Sequence, residues 1–407
     1  MKALMLDQTT RDLVRGTAPV LQQHGEALTS HFYARMLSHN PELREHFNQG
    51  HQRKGDQQQA LAAAVAAYAL HIDNPGVLMP VLERIAARHV SLNIRQEHYA
   101  IVGRHLLASL GEVLGDAATP ELVQAWAAAY GQLADILIGM EQKLYNQSAA
   151  IEGGWTGWRS FRIERREAES AEVSSFYLCP ADGGPLPLWR PGQFLTLRVI
   201  VPELGYRQPR QYTLSDAPGK GYLRISVTRE ARPGDVPGMV SNHLHDHFQA
   251  GDVLEVSPPQ GDFFLHEDRD TPVLLISGGI GITPMLAMLE HLRATAPQRP
   301  VRFLHAARSA AVQVFGPRVR ELLADMPRSS AWIVHEDGQG SPAGSCEAVG
   351  RLDLAALHAQ GLLPADADAY VCGPQGFMLT QIQALRALGY APERIHVEAF
   401  GTGGVKE

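Results

Sequence analysis

Residues 273–285 read VLLISGGIGITPM. Four apolar residues, Val273 to Ile276, run into Gly278, Gly279, Ile280 and Gly281, and a helix is expected to start near Thr283 and Pro284. Glycines let a backbone approach a pyrophosphate closely, and a helix N-terminus offers unpaired N–H groups and the positive end of a dipole. Pro284 suits a first helical turn, where a missing N–H costs nothing. A tight strand-to-helix turn would use the same residues, so the surroundings must decide. Apolar runs at 301–304 (VRFL), 331–334 (AWIV) and 369–371 (AYV) alternate with helical stretches, the pattern of an α/β doubly wound domain with a parallel sheet. Cys372, Gly373 and Pro374 form a second loop at the carboxyl edge of that sheet, where open α/β sheets bind ligands.

Upstream the period changes. Residues 194–201 (FLTLRVIV) and 222–228 (YLRISVT) are short, rich in β-branched and aromatic residues, and bounded by Gly and Pro; they predict antiparallel barrel strands. Between them lies RQYTLS (210–215), in which an Arg suits a phosphate, a Tyr suits a flat ring, and hydroxyls suit its edge. Ordinary strand packing explains the same residues when they are taken alone. Residues 1–150 hold 10 Gly and 5 Pro, against 28 Gly and 21 Pro in 151–407, so the first part can be built of long helices. Leu78, Leu82, Ile85 and His89 share one helical face, as do Val123, Trp126, Tyr130, Leu133 and Leu137. The changeover falls at Gly153-Gly154-Trp155-Thr156-Gly157-Trp158, which reads as a linker with two docking aromatics. Three domains follow: an all-α unit over 1–146, an antiparallel β-barrel over 155–266 and the α/β unit over 270–407.

The composition is that of a globular protein, with 407 residues, 45% hydrophobic and 19% charged. A net charge of -7 argues against a nucleic-acid partner. Cys179, Cys346 and Cys372 are too few and scattered for a disulfide framework, which predicts a reducing compartment. The longest apolar run, Ala60 to Leu70, has 11 residues, short of the roughly 18 a membrane span needs. Only Ala3 to Leu6 are apolar ahead of Asp7, too short for a signal-peptide core. A cytoplasmic chain is expected.

Histidines are numerous, so each needs an argument. His89 closes an apolar stripe; a buried imidazole must find a partner, and either a metal or a core hydrogen bond serves. Gln57 and Leu61 lie four apart on one helical face. His243, His245 and His247 in SNHLHDH look like metal ligands, but on a helix the middle one faces away from the other two.

RPGQF (190–194), RQYTLS (210–215), SGGIGITPM (277–285), CGP (372–374) and EAFG (398–401) resemble, in order and spacing, the ferredoxin–NADP reductase family. The resemblance implies an FAD-binding barrel followed by a nicotinamide-binding α/β domain. It implies flavin contacts from Phe194, Arg210, Gln211, Tyr212, Thr213 and Ser215, with Ser241 capping the SNHLHDH helix beside the pyrophosphate. Gly278, Gly279, Ile280, Gly281, Ile282, Thr283, Cys372, Gly373 and Pro374 would hold the nicotinamide nucleotide. Phe400 would cover the isoalloxazine, with Glu398, Ala399 and Gly401 around it. Phe194 stands where relatives usually carry Tyr, and this chain ends FGT where relatives often read FGP. Arg308 suits either a 2′-phosphate or a solvated surface, which leaves NADH versus NADPH open.

FYARM (32–36), NPELREHF (40–47), GDQQQAL (55–61), RHVS (88–91), EHYAIVGRHLL (97–107), AWAAAYGQLAD (125–135) and MEQKLY (140–145) closely resemble the globin domain of bacterial flavohaemoglobins, and the resemblance runs the length of the chain. It implies His89 as the proximal ligand of a haem b iron, with Tyr99 and Glu141 around it. Tyr33 and Gln57 would be distal hydrogen-bond donors, Leu61 the distal wall and Phe47 the ring packed on the haem. Arg88 keeps a positive charge where relatives often have Lys. The implied activity is nitric oxide dioxygenation, with electrons passing from NAD(P)H through FAD to haem, and O2 and NO as the small-molecule substrates. A monomer without an obligate protein partner is expected. An oxygen-binding or sensing globin with a maintenance reductase, a plain flavin reductase and a haem-dependent alkyl hydroperoxide reductase fit the same parts.

Overall fold

A computed structural model describes residues 6–48, 50, 55–230 and 237–401. Its described residues fall into two compact units. The first comprises residues up to Arg159 together with 196–210 and 256–262, and the second holds 160–195, 211–255 and residues from 263 onward.

The first unit is led by six helices: α1 (Gln8–Gly16), α2 (Ala18–His39), α3 (Asp56–Leu70), α4 (Met79–Ser91), α5 (Gln96–Leu114) and α6 (Pro120–Ala150). Their starts follow capping chemistry. The Asp7 side chain accepts the Thr10 N–H, and Thr119 accepts from Leu122 ahead of Pro120, so donors the first turn would strand are satisfied. Leu82, Ala86 and Val90, four apart on α4, are buried, whereas Leu78, Ile85 and His89, which share the predicted stripe with Leu82, are half-buried. Gly103 on α5 faces the Tyr130 ring on α6 so closely that an added Cβ would lie 2.5 Å from it. Three apolar clusters fill the unit. One is built on Val14, Leu28, Tyr68 and Trp126, one on Phe32, Tyr33, Met36 and Leu43, and one on Leu82, Tyr99 and Leu137.

After Ala150 the chain reverses sharply, and a Cβ on Gly154 would collide with the Ser148 carbonyl. Both aromatics of the linker are anchored. Trp155 Nε1 donates to the Val256 carbonyl at 3.2 Å, and the Arg198 guanidinium lies 4.4 Å over the Trp158 ring.

A six-stranded sheet follows: β1 (Arg159–Ala168), β2 (Val173–Pro180), β3 (Phe194–Val201), β4 (Tyr206–Thr213), β5 (Leu223–Thr228) and β6 (Val253–Val256), in the order β4-β3-β6-β1-β2-β5. β1 and β5 both pair antiparallel with β2. An isolated bridge between Leu214, past the end of β4, and Ile225 on β5 joins the two edge strands, which turns the sheet into a barrel. A short helix, α7 (Met239–His247), precedes β6.

The last part is a parallel sheet, β7 (Val273–Gly278), β8 (Val301–Ala307), β9 (Ser330–His335), β10 (Ala348–Val349), β11 (Asp368–Cys372) and β12 (Ile395–Glu398), ordered β10-β9-β8-β7-β11-β12. Helices α8 (Ile282–Thr295), α9 (Gly316–Ala324), α10 (Leu354–Ala359) and α11 (Gln375–Ala387) connect its strands. Separate apolar clusters cover its two faces, one on Leu275, Phe303 and Tyr370, the other on Leu274, Leu304 and Val371. Every residue of β7 is buried, as a strand covered on both faces requires. Strand order reverses between β7 and β11, so their carboxyl ends define the switch point where such sheets bind ligands.

Candidate functional site

Helices α4, α5 and α6 bring two polar groups to one imidazole. His89 Nδ1 lies 2.7 Å from Glu141 Oε1 and 3.1 Å from the Tyr99 hydroxyl, and that hydroxyl itself donates a short hydrogen bond to Glu141 Oε1. Tyr130 donates to the Tyr99 carbonyl at 2.7 Å, bracing the same turn. Glu141 is only 3% exposed, so its carboxylate is aimed inward and held by two donors. Burial, followed by the neighbouring Glu141 charge, pushes the Tyr99 phenol far above its ordinary range, which keeps it a donor. A hydrogen on Nδ1 directed at the carboxylate leaves Nε2 as the ring nitrogen open to a ligand. The His89 side chain is 32% exposed, an opening consistent with a ligand on that nitrogen.

A second group forms on α2 and α3. The Tyr33 ring, buried at the end of the Phe32–Met36 cluster, meets Phe47 edge-on at 5.5 Å between centroids, and Leu61 packs on the same cluster. Burial alone raises the Tyr33 phenol well above its ordinary range. Gln57, on the first turn of α3, has its Oε1 buried with no hydrogen-bond partner among the described residues. A buried amide oxygen without a partner is costly and points to a polar ligand beside it. The residues present therefore fit a haem: a lone-pair nitrogen with a carboxylate behind it, an unspent amide, a buried phenol and apolar walls. Arg88 is half-buried next to His89 in sequence.

At the switch point of the parallel sheet the two glycine-bearing loops lock together. A Cβ on Gly281 would collide with the Cys372 carbonyl, and one on Gly373 would lie 2.9 Å from the Phe377 ring and 3.0 Å from the Gly278 nitrogen. Gly281 and Gly373 are thus demanded by loop-to-loop packing, and Gly278 sits in tight contact, where a Cβ would lie 3.1 Å from the Phe377 ring. Gly279 differs: its φ is +55° and the space around it is open. It is exposed and Ile280 half-buried, whereas Ile282 and Thr283 are turned inward, the Thr283 hydroxyl donating to the Ile280 carbonyl at 2.9 Å. α8 starts at Ile282, with Pro284 inside its first turn.

Two expected ligand contacts have no exposed surface. Cys372 is fully buried in the core beneath the sheet, so of its motif only Pro374 is exposed. Ser215 is fully buried as well; its hydroxyl lies 2.8 Å from Ser226 Oγ and accepts from Arg224 Nε at 3.1 Å. Ser215 helps hold the barrel together, with Ser226 passing the chain on to Ser175 at 2.8 Å. The Ser241 cap is corrected. Gly238 is the N-cap of α7, and Ser241 is the third helical residue, donating back to the Gly238 carbonyl at 3.3 Å.

The other residues of the flavin motifs keep exposed surface. Arg210 and Tyr212 are half-buried on β4, Gln211 is exposed and Thr213 is 8% exposed. Phe194 opens β3 half-buried; Glu398, Ala399 and Gly401 are half-buried and Phe400 is 49% exposed. In SNHLHDH, His245 is buried, its Nε2 2.9 Å from the Val227 carbonyl, while the His243 and His247 rings lie 4.8 Å apart. No cluster of three metal-ligating side chains exists among the described residues.

Comparison with known proteins agrees with this layout. The globin family profile matches residues 30–137 and the oxidoreductase NAD-binding domain profile residues 275–382. A flavohemoprotein of Bordetella parapertussis is 58% identical over 404 residues, 98% of this chain and 100% of that one. The chain belongs to the flavohemoprotein family. A flavohemoprotein of Rhizobium meliloti is 48% identical over 98% of each chain. The crystal structure of a flavohemoglobin from Malassezia yamatoensis, with bound FAD and heme, superimposes with a TM-score of 0.85 at 30% identity, covering 97% of this chain and 100% of that one. The three-part order of helical globin, antiparallel barrel and parallel NAD-binding sheet is that of the family. No helix among the described residues is long and apolar enough to cross a membrane.

What sequence reasoning passed over is the support around these residues. Tyr130 was legible only as part of an apolar stripe, and the Ser175–Ser226–Ser215 chain leaves no mark in spacing because it crosses three strands.

Proposed function

We propose that this flavohemoprotein is a cytoplasmic nitric oxide dioxygenase, acting as a single chain with haem b, FAD and NAD(P)H. The overall reaction balances as two NO and two O2 consumed per NAD(P)H, giving two nitrates, NAD(P)+ and one proton. When bound, haem supplies the iron at which oxygen is activated, and FAD supplies the exchange between two-electron and one-electron transfer. The chain's own residues do the rest.

His89 Nε2 would hold the iron. Glu141 and Tyr99 fix the proton on His89 Nδ1, and the carboxylate makes the imidazole a stronger electron donor than a carbonyl partner would. That buried carboxylate–imidazole hydrogen bond carries the proposal, because simple oxygen storage gains nothing from a strongly donating ligand. Tyr33 offers a phenol that stays protonated at working pH, and Gln57 an amide with unspent capacity, as hydrogen-bond partners for a polar diatomic. Leu61 and Phe47 exclude water around them. Arg210, Gln211, Tyr212 and Thr213 would hold the flavin, with Phe400 and Glu398 at its ring. Gly279 would receive the nicotinamide nucleotide. The Vibrio cholerae FAD- and NAD-binding domain described as part of a nitric oxide dioxygenase supports this reading: it is 39% identical, with a TM-score of 0.55 over 60% of this chain and 98% of that one. The three free thiols, Cys179, Cys346 and Cys372, suit a reducing compartment.

The test is NO consumption in air by the loaded protein with NAD(P)H, followed as nitrate. Matching NO loss and nitrate, abolished in His89→Ala while ferricyanide reduction by NAD(P)H survives, is the expected result. Ferricyanide reduction without NO loss in the wild type would overturn the dioxygenase and leave a reductase serving an oxygen-binding globin.

A further inference from the structure

Counted outward from the switch point, the strand next to β7 is β8, and in a doubly wound sheet the adenosine ribose of a dinucleotide lies over the carboxyl end of that strand. β8 ends at Ala307, so Arg308 is the cation placed to meet a 2′-phosphate. Its guanidinium is already engaged: Nη2 donates to Glu172 Oε2, from the turn joining β1 to β2. That turn is fixed at its backbone. The Glu172 carbonyl accepts from the Arg229 N–H at 2.7 Å, and its N–H donates to Ser170 Oγ at 3.2 Å. The loop after β9 adds two more carboxylates. Glu336 and Asp337, both exposed, donate their backbone N–H groups to the carbonyls of Ala307 and Arg308 at 2.9 and 2.8 Å. The nearby Arg229 does not offset them, since its guanidinium is spent on Asp246 at 2.7 Å.

We propose that Glu172 sets the dinucleotide preference of this reductase, selecting NADH over NADPH by occupying Arg308. The proposal deepens the NAD(P)H reading above and rests on it. A 2′-phosphate would have to take Arg308 from Glu172 and then sit beside that carboxylate, a like-charge arrangement next to a loop that itself carries the acidic Glu336 and Asp337. A ribose 2′-hydroxyl meets no such cost, and a carboxylate is a natural acceptor for it. Because Arg308 and Glu172 are 52% and 38% exposed, the pair is a soft restraint, so it shifts preference several-fold and does not impose an absolute block. The effect weakens as salt screens it over a Debye length of about 10 Å.

The experiment is calorimetric titration of the full chain at low ionic strength with 5′-ADP and with 2′,5′-ADP. Wild type is expected to bind 5′-ADP more tightly by about fivefold or more. Glu172→Gln is expected to narrow that ratio about fivefold through tighter 2′,5′-ADP binding, and Arg308→Gln in the same chain to cancel the gain. The NADPH-to-NADH ratio of kcat/KM for ferricyanide reduction should move in parallel. Equal binding of the two nucleotides by wild type, an unmoved ratio in Glu172→Gln, or no binding of either nucleotide would overturn the proposal. Nucleotide binding needs neither haem nor NO, so a failed NO assay beside an intact ratio would sink the dioxygenase and leave this inference standing.

Discussion

At the scale of single residues, the decisive atom is Nδ1 of His89, because what holds it fixes what Nε2 can do. Glu141→Gln keeps a hydrogen-bond partner of similar size and removes the charge, so it isolates the electron-donating part of the arrangement. Loss of a hydrogen-bonding partner behind a metal ligand typically costs about 10- to 100-fold in activity or affinity. NO turnover should fall by about tenfold or more, with haem content retained and the iron–histidine stretch in the resonance Raman spectrum moved to lower frequency. A stretch at the wild-type position would reduce Glu141 to structural support. None of this geometry was legible in residue spacing. His89 and Glu141 are 52 positions apart, and apolar periodicity places a histidine on a buried face without saying what faces it. Only the resemblance to the flavohaemoglobin globin joined the two. The same resemblance names Ser215 as a flavin contact, but a motif records which residues recur near a cofactor and not which of them face it. In this chain the Ser215 hydroxyl is drawn into the barrel by Ser226 and Arg224.

Elements were legible where one physical signal dominated. β7, β8, β9 and β11 are apolar runs covered on both faces, and they lie where the runs predict. β1 was not, because RSFRIERREA buries only Phe161 and Ile163 and fills the other positions with charge, so its alternation is too short to stand out. β4 hid behind Pro209 and a string of polar residues. The glycine loop was legible as a loop, but its glycines were read as one device and are two. Gly281→Ala drives a methyl into the Cys372 carbonyl and must push the two loops apart, which should cost about 2 kcal/mol or more of stability. Gly279→Ala meets open space and bears only the strain of a positive φ, about 1 kcal/mol, while placing its methyl where a nucleotide would approach. Urea melts paired with 5′-ADP titrations distinguish them: the first variant should lose mainly stability, the second mainly affinity. Equal losses of stability would mean that the packing contact at Gly281 is not felt.

Across the whole molecule, stability should depend on pH through groups that the fold keeps neutral, and the sign differs on the two sides. His305 is fully buried on β8 with Nδ1 2.9 Å from Ser277 Oγ and Nε2 without a partner among the described residues, and burial pulls its pKa down to about 4. The unfolded chain takes up a proton near 6.5 that the folded one refuses until about 4, so this contribution is complete above 6.5 and is lost as pH falls toward 4. By pH 5 the loss from His305 alone is about 2 kcal/mol. His46, His98, His245, His266 and His335 are lowered by burial too and act in the same direction. On the alkaline side, burial raises the phenols of Tyr33, Tyr68, Tyr99, Tyr130 and Tyr145 in the helices, and those of Tyr370 and Tyr390 to about 12. Each of these is held protonated by the fold, so its contribution is complete below 10 and is lost as pH climbs past that value. The thiols of Cys179 and Cys372, raised by burial, begin the alkaline loss about one unit below the phenols. The urea midpoint should therefore form a plateau from about pH 7 to about 8.5 and fall on both sides, with tyrosinate absorbance at 295 nm appearing together with loss of helix. His305→Asn, which keeps a small polar group beside Ser277 but does not titrate, should flatten part of the acid limb. A midpoint that rises as pH falls from 7 to 5, or an acid limb unchanged by that substitution, would show that a group other than buried His305 governs the acid response.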